Sequence, residues 1–403
     1  MCLRIRPFMI YDTHHPVGVH SRGVIFVMTI DVLSDETYMR LALDMASKAK
    51  GQTDINPVVG CVIVNDGRIV GLGAHLRRGE GHAEVHALRM AGDQAEGATA
   101  YVTLEPCSHH GRTPPCCDRL IEAKVARVVV ACTDPNPQVA GRGINRLREA
   151  GISVEVGLLE QESMRMNEAF NKFIVTRLPY VTMKSAMTLD GKLAAKTGDS
   201  RYVSGPRARE MTHTLRHQHM GIMVGVGTAL ADDPELTTRL SVPAVHPVRI
   251  VVDSKLRLPL QARLLQDKTA SVIVLTVEGA DPAKRAALEA AGAEVIACGE
   301  GSRVDLLLAM GKLGEREIGS ILLEGGGKLN GAMLALGLID KLQLFIAPKV
   351  IGGAASPSVF EFEGFEKMAD AIPFRQVHVE QVGEDLYLSG YPNYASSDRS
   401  NGA

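Results

Sequence analysis

Short apolar runs alternate with helical runs on both sides of a proline-marked seam, and this alternation constrains the fold more than any other feature of the sequence. The run "VVGCVIV" (58–64) reads as a buried strand, "NDG" as a turn, and "RIVGLGAH" as the antiparallel partner. "HAEVHALRMAG" follows as a short helix, "TAYVTL" as a strand, "DRLIEAKV" as a helix and "RVVVAC" as another strand. After "DPNPQVAGRG" come a helix ("INRLREAG"), a strand ("SVEVGL") and a closing helix over 161–175. An earlier helix lies in "SDETYMRLALDMASKAKG", with Ser34 placed as N-cap and Gly51 as its stop. Such alternation predicts an α/β layered domain.

Pro179, in "TRLPYVTMKSAM", interrupts the helical pattern, and a second α/β domain starts near Tyr180. Its strands read as "GIMVGV", "RIVVDS", "ASVIVLT", "AEVIAC", "GSILLEGG" and "LQLFIAPKV". The expected organisation is an extension without fixed structure over 1–33, domains over 34–175 and 180–391, and a disordered polar tail over 392–403. Residues 1–27 show neither helical nor strand periodicity. Met28 is a candidate natural start with an upstream extension before it; a native disordered tail is the other reading.

The net charge of −2 gives no electrostatic footprint for nucleic acid or an anionic membrane. The apolar run from Gly23 to Ile30 is too short to span a bilayer, and no small-residue cleavage site follows it. Seven cysteines in 403 residues are too sparse for a disulfide scaffold, and four of them (Cys2, Cys61, Cys132, Cys298) stand alone. A reduced, cytoplasmic, soluble protein is expected, with neither nucleic-acid nor membrane partners.

The remaining cysteines cluster in "TLEPCSHHGRTPPCC" (103–117), downstream of "GHAEVHAL". His82 and Glu84 stand two apart at the expected start of a helix, so they converge only on something at the helix mouth. A catalytic zinc takes three protein ligands and keeps one position for water, whose pKa it lowers to near neutrality. His82, Cys107 and Cys116 supply the three ligands; Glu84 is placed to shuttle the proton. The pattern matches the H-x-E and P-C signature of zinc deaminases, with eight residues between the cysteines instead of two. Two other readings are a closed zinc site of Cys107, Cys116, Cys117 and His109 or His110, and a Cys107–Cys116 disulfide. The first leaves "HAE" unexplained, and the reduced compartment expected from the sparse cysteines disfavours the second.

"NPVVGCVIV", "GHAEVHAL", "TLEPCSHHGRTPPC" and "DPNPQVAGRG", in that order, resemble the bifunctional riboflavin-biosynthesis deaminase–reductase family. "MTLDGKLA", "GVGTALADDPELTTR", "VVDS" and "LLEGGGKLNGA" resemble the reductase half of the same family. The resemblance implies an N-terminal cytidine-deaminase-like α/β/α sandwich followed by a C-terminal dihydrofolate-reductase-like α/β domain. It implies zinc on His82, Cys107 and Cys116, with Glu84 as proton shuttle. The implied activity is deamination of 2,5-diamino-6-ribosylamino-4(3H)-pyrimidinone 5′-phosphate, then NADPH-dependent reduction of the ribosyl group to ribityl. A homodimer through the reductase domains is also implied.

By the same resemblance, Asn56 is a candidate to hold substrate, although it also suits a turn before Pro57. Ala186, Tyr202, Thr228, Asp232, Ser254 and the run Gly326, Gly327, Lys328, Leu329, Asn330, Gly331 and Ala332 match cofactor positions. Glycines between a strand and a helix N-terminus suit phosphate groups. Ser200, Arg216, Leu236, Arg239 and Glu324 match substrate positions, and the two arginines suit a phosphate. Asp232 is also a candidate to assist proton movement, or to cap the following turn. Ile55 stands where the family commonly has proline, and Ala74 and Tyr202 where tryptophan is usual; these departures concern pocket walls.

Overall fold

The computed structural model describes residues 4–7, 26–29, 33–108, 114–137 and 139–394. Within the expected extension it pairs Arg4–Pro7 with Phe26–Thr29 as an antiparallel ribbon, strands too short to leave a legible period. The rest of the extension up to residue 32, and the tail beyond 394, lie outside the described residues.

The first half is built on a five-stranded sheet ordered Arg68–Ala74, Gly60–Asn65, Thr99–Val102, Arg127–Val130, Ser153–Val156. The first three strands are antiparallel and the last two join in parallel. Side chains alternate across a strand, and this alternation divides the core in two. Cys61, Ile63, Ala100, Val102, Val128 and Val130 face a cluster with Ala83, Ala87, Leu120 and Leu147 from three helices. Val62, Val64, Tyr101 and Val129 face Met39, Ala42 and Leu43 of helix Asp35–Ser47 on the opposite side. Leu120 and Leu147 are fully buried, each worth about 1.5–3 kcal/mol of burial. The result is a helix–sheet–helix sandwich.

The single helix expected over 161–175 is two, Glu160–Met166 and Glu168–Thr176. Asn167 breaks it (φ −109, ψ 25) because its side chain is committed elsewhere. Its Oδ1 accepts from Val58 N at 2.9 Å and its Nδ2 donates to Val58 O at 3.0 Å. The buried amide ties the helix pair to the chain entering strand Gly60–Asn65. The second helix meets the other half, where Lys172 pairs with Asp340 at 2.6 Å and Glu168 with Lys341 at 3.0 Å.

The second half is one nine-stranded sheet ordered Ala293–Ala297, Val272–Thr276, Val248–Val252, Gly221–Gly225, Ser320–Leu323, Tyr180–Thr188, Lys341–Ala347, Asp385–Pro392, Phe374–Val382. It is parallel through Lys341–Ala347. The last two strands, an antiparallel hairpin, are absent from the sequence reading. Most of Phe374–Val382 is exposed, so it has no buried face to produce an alternating pattern. Among the described residues no helix is long and apolar enough to cross a membrane.

Removing both Asn167 bonds by Asn167→Ala should cost about 2 kcal/mol, at roughly 1 kcal/mol per bond. A lowered midpoint in urea denaturation is expected; an unchanged midpoint would mean that the amide does not anchor the helix break.

Candidate active sites

His82 is the extended N-cap of helix Ala83–Ala91 (φ −73, ψ 170). Cys116 opens helix Cys116–Glu122, which begins two residues before the start read from the sequence. Cys107 follows strand Thr99–Val102. Both helices pack on one face of the sheet, and their N-termini open toward the same point. His82 Nδ1 lies 3.2 Å from Cys116 Sγ and 3.6 Å from Cys107 Sγ. The three donor atoms all lie within 4.8 Å of one another. Zinc–nitrogen and zinc–sulfur bonds of ~2.0–2.3 Å at tetrahedral angles separate such atoms by about 3.6 Å. The donor set therefore has the size, and the one-nitrogen, two-sulfur composition, of a zinc centre with one position left over.

The Cys107 thiol is drawn down to about 4, first by its hydrogen bond with the Cys116 thiol, with His82 adding to the effect. Cys107 Sγ also accepts from Cys116 N at 3.3 Å. The Cys116 thiol is pushed up by the same shared proton and by burial. Cys117 points elsewhere, toward Asp118 Oδ1 at 3.7 Å. His109 and His110, invoked for a closed site, lie outside the described residues. All described cysteines are free, Cys107 and Cys116 included.

Glu84, in the first turn of helix Ala83–Ala91, is 2 % exposed. Burial pushes its carboxyl up to about 7, against the pull of His82. Its Oε2 has no hydrogen-bond partner. A buried polar atom without a partner is costly, and this one fits a site made for a polar ligand.

His75, which the sequence reading passed over, orients Asn56. Its Nε2 lies 3.2 Å from Asn56 Nδ2 and its Nδ1 lies 3.3 Å from Gly81 O. Burial pushes the His75 imidazole down, which suits a neutral ring donating to Gly81 and accepting from Asn56. The ring also meets His82 edge-on at 5.3 Å. A cleft of mixed lining at the seam, with Lys50, Asn56, Glu168, His219, Lys341 and Gln343 among apolar neighbours, touches this site through Asn56.

In the second half, Arg216 grips Glu324 with two bonds, Nε to Oε1 at 2.8 Å and Nη2 to Oε2 at 2.9 Å. Arg216 Nη1 donates to Thr237 O at 3.0 Å. Arg216, read from the sequence as suited to phosphate, thus has much of its guanidinium committed to Glu324. Burial pushes the Glu324 carboxyl up, but Arg216, helped by Lys184 and His213, outweighs it and holds the group at about 2. Lys184 and His213 were not picked out from the sequence. Lys184 lies over the Phe345 ring at 5.8 Å, and burial pushes its ammonium down. His213 Nδ1 accepts from Arg239 N at 3.2 Å. Arg239 is itself exposed, its Nη1 donating to Glu235 and Thr237. Leu236 is 2 % exposed with left-handed φ 56, between these two residues.

Gly326 is the extended N-cap of helix Gly327–Ala335 (φ −78, ψ 171), with Thr228 Oγ1 3.4 Å from where its Cβ would stand. The first amides of a helix lack intrahelical acceptors, so this end can receive an anion. Gly327 and Gly331 are needed for another reason. A Cβ on Gly327 would stand 2.2 Å from Ser358 O, and one on Gly331 2.7 Å from Glu361 O. Asn330 is buried and donates to Val359 O, while Lys328 is exposed and Leu329 and Ala332 are half-buried. Ala186 is half-buried on strand Tyr180–Thr188, two residues from Lys184. Asp232 ends helix Val226–Asp232 and caps no new one. Tyr202 is 68 % exposed beneath Arg209, Ser200 is half-buried nearby, and Ser254 Oγ accepts from Val304 N.

A family model for the cytidine and deoxycytidylate deaminase zinc-binding region matches residues 33–132, and one for the RibD C-terminal domain matches residues 179–388. The chain is 46% identical over 368 residues to riboflavin biosynthesis protein RibD of Escherichia coli (strain K12), covering 88% of this chain and 99% of that one. It is 44% identical over 358 residues to the RibD protein of Bacillus amyloliquefaciens, covering 89% and 96%. Among solved structures, Acinetobacter baumannii RibD superposes with TM-score 0.80 at 38% identity, over 89% of this chain and 99% of that one. A diaminohydroxyphosphoribosylaminopyrimidine deaminase/5-amino-6-(5-phosphoribosylamino)uracil reductase from Thermotoga maritima gives TM-score 0.79 at 35% identity, with the same coverage.

Glu324→Gln leaves Arg216 in a buried site without a counter-charge, at an expected cost of about 3–5 kcal/mol. The folded carboxyl is depressed to about 2 from an ordinary 4.5. The pair's contribution is therefore complete above the ordinary value and is lost as pH falls through about 2. Urea midpoints of wild type and Glu324→Gln should accordingly differ at neutral pH and approach each other toward the acid end. Equal midpoints at neutral pH would contradict the pairing.

Proposed function

The chain belongs to the RibD family of riboflavin biosynthesis proteins, and from that premise we propose how its two halves divide the work. It is a bifunctional enzyme of riboflavin biosynthesis: a cytidine-deaminase-like half deaminates the diaminopyrimidine ribotide, and a dihydrofolate-reductase-like half then reduces the ribosyl side chain. The zinc-binding deaminase region and the His/Cys/Cys group support a zinc centre. The observation that carries the residue-level reading is the convergence of His82, Cys107 and Cys116 beside a buried Glu84 with an orphan oxygen.

One zinc per chain would be held by His82, Cys107 and Cys116, where it would lower the pKa of a water toward neutrality. Glu84, buried beside the three donors with one oxygen unpaired, would take a proton from the attacking water and hand it to the leaving amino nitrogen. Asn56, oriented by His75, would hold the pyrimidine edge.

In the second half NADPH would supply the hydride. Gly326 to Ala332 with Thr228 would hold its phosphates, and Ala186, Tyr202, Asp232 and Ser254 would contact the rest. Ser200, Arg216, Leu236, Arg239 and Glu324 would line the substrate side. Arg239, exposed and less committed than Arg216, is the better of the two to meet the substrate phosphate. A cytoplasmic setting is proposed from the sparse, mostly isolated cysteines of the sequence. Two copies would associate through the reductase half, whose outer strand Phe374–Val382 exposes Val377 and Val379. Light scattering should give twice the 43.3 kDa chain mass; the mass of a single chain would contradict the pairing.

Glu84→Gln should lower ammonia release by about 10²–10⁴-fold and leave zinc bound. NADPH oxidation should stay unchanged when 5-amino-6-(5-phosphoribosylamino)uracil is supplied directly. Continued ammonia release would remove Glu84 from the reaction, and loss of both activities would point to a folding defect.

A further inference from the structure

Glu105 takes no part in the chemistry above, yet it is 5 % exposed and stands two residues before Cys107. Its Oε1 accepts from Gly143 N at 2.9 Å and Ile144 N at 3.4 Å. Its Oε2 accepts from Gly141 N at 2.9 Å and Asp134 N at 3.2 Å. Gly143 and Ile144 belong to the first turn of helix Arg142–Glu149, whose N-cap Gly141 has left-handed φ 79 and no side chain to offer. First-turn amides lack intrahelical acceptors, and a carboxylate there is favoured by the helix dipole. Glu105 therefore caps this helix from a distant strand end. Through Asp134 and Gly141 it also ties down both ends of the loop leading to the helix.

The same contact fixes the backbone that follows Glu105. Pro106 O lies where a Cβ on Gly143 would stand only 1.9 Å away, so the peptide before Cys107 rests directly on the helix start. Glu105 N donates to Cys132 O at 3.0 Å, and Cys107 O accepts from Cys117 N at 3.2 Å. The segment from Glu105 to Cys107 is thus held by a backbone hydrogen bond to Cys132 at one end, by helix Cys116–Glu122 at the other, and by the Glu105 carboxylate from the side.

We propose that Glu105 is a positioning residue for deamination: by gathering four backbone N–H groups it fixes the Pro106–Cys107 peptide, and through it the Cys107 sulfur in the metal site. This rests on the zinc reading given under the proposed function. Residues one step beyond metal ligands typically change metal affinity or activity by 10–100-fold when replaced. Glu105→Gln keeps the shape but turns an NH₂ group toward amides that need an acceptor.

The test uses the full-length protein, with zinc and with cobalt substituted for zinc. The wild-type cobalt protein should show thiolate-to-cobalt absorption; its absence there would overturn the zinc reading itself. Given that band, Glu105→Gln should shift or weaken it, speed zinc loss to a chelator, and lower kcat for ammonia release by about 10–100-fold. NADPH oxidation with the deaminated pyrimidine supplied should be unchanged. A wild-type band, zinc-loss rate and kcat in the variant would overturn the proposal, as would an equal fall in both activities. Should Glu105→Gln fail to fold, Glu105→Asp, which keeps the charge but withdraws the oxygens by one methylene, is read in the same way with a smaller loss expected. A wild-type result there would also overturn it.

Discussion

Helix Ala83–Ala91 lies against bare backbone, and the deaminating centre depends on that closeness. A Cβ on Gly73 would stand 2.0 Å from Ala83 O, and one on Gly71 2.3 Å from Ala87 O. The helix answers with Ala83, Ala87 and Ala91 on the buried face, each at most 3 % exposed. Small residues on both partners let the helix sink until His82 and Glu84 reach the level of Cys107 and Cys116. On the other face Gly60 makes the same concession, with Ala42 O 2.0 Å from its missing Cβ. A displacement of ~1 Å in such a site can cost on the order of a hundredfold in rate, so the glycines belong to the chemistry although they touch no substrate.

Two carboxyls, Glu84 and Glu324, show burial used in opposite ways. Both are taken out of water, which by itself raises a carboxyl pKa. Glu84 is opposed by His82 first, with a backbone hydrogen bond and the Cys116 thiol adding less, and is left near 7, where a group can both accept and give a proton. Glu324 has Arg216 in a two-bond grip and Lys184 nearby, and is held at about 2 as a fixed anion. One fold thus keeps one acid able to exchange protons and the other ionised, through the choice of neighbouring cation. Lys184, pushed down by burial but facing Glu324, completes the buried charge group of the second half.

The layered architecture and the grouping of His82, Cys107 and Cys116 were legible because each leaves a pattern in the sequence. Buried parallel strands read as apolar runs, and zinc donors require rare residue types at the mouths of helices. What escaped has physical reasons. The break at Asn167 depends on a partner, Val58, more than a hundred positions away, so no local window reveals it. The hairpin Phe374–Val382 and Asp385–Pro392 buries little of its outer strand and has no strong alternation. Lys184 looks like the polar residue of an ordinary half-buried strand, and His75 like a residue trailing one. Both acquire meaning only from Glu324 and Asn56 across the fold. Arg216 was noticed, but its partner was not foreseen: a guanidinium suited to phosphate is equally suited to a carboxylate.

The linkage of two chemistries in one chain is best tested by following ammonia and NADPH together in a single sample given only the diaminopyrimidine ribotide. Ammonia should appear first, NADPH oxidation should follow after a lag, and the two should end in equal amounts. Ammonia release with NADPH unchanged, or NADPH oxidation that precedes any ammonia, would contradict it.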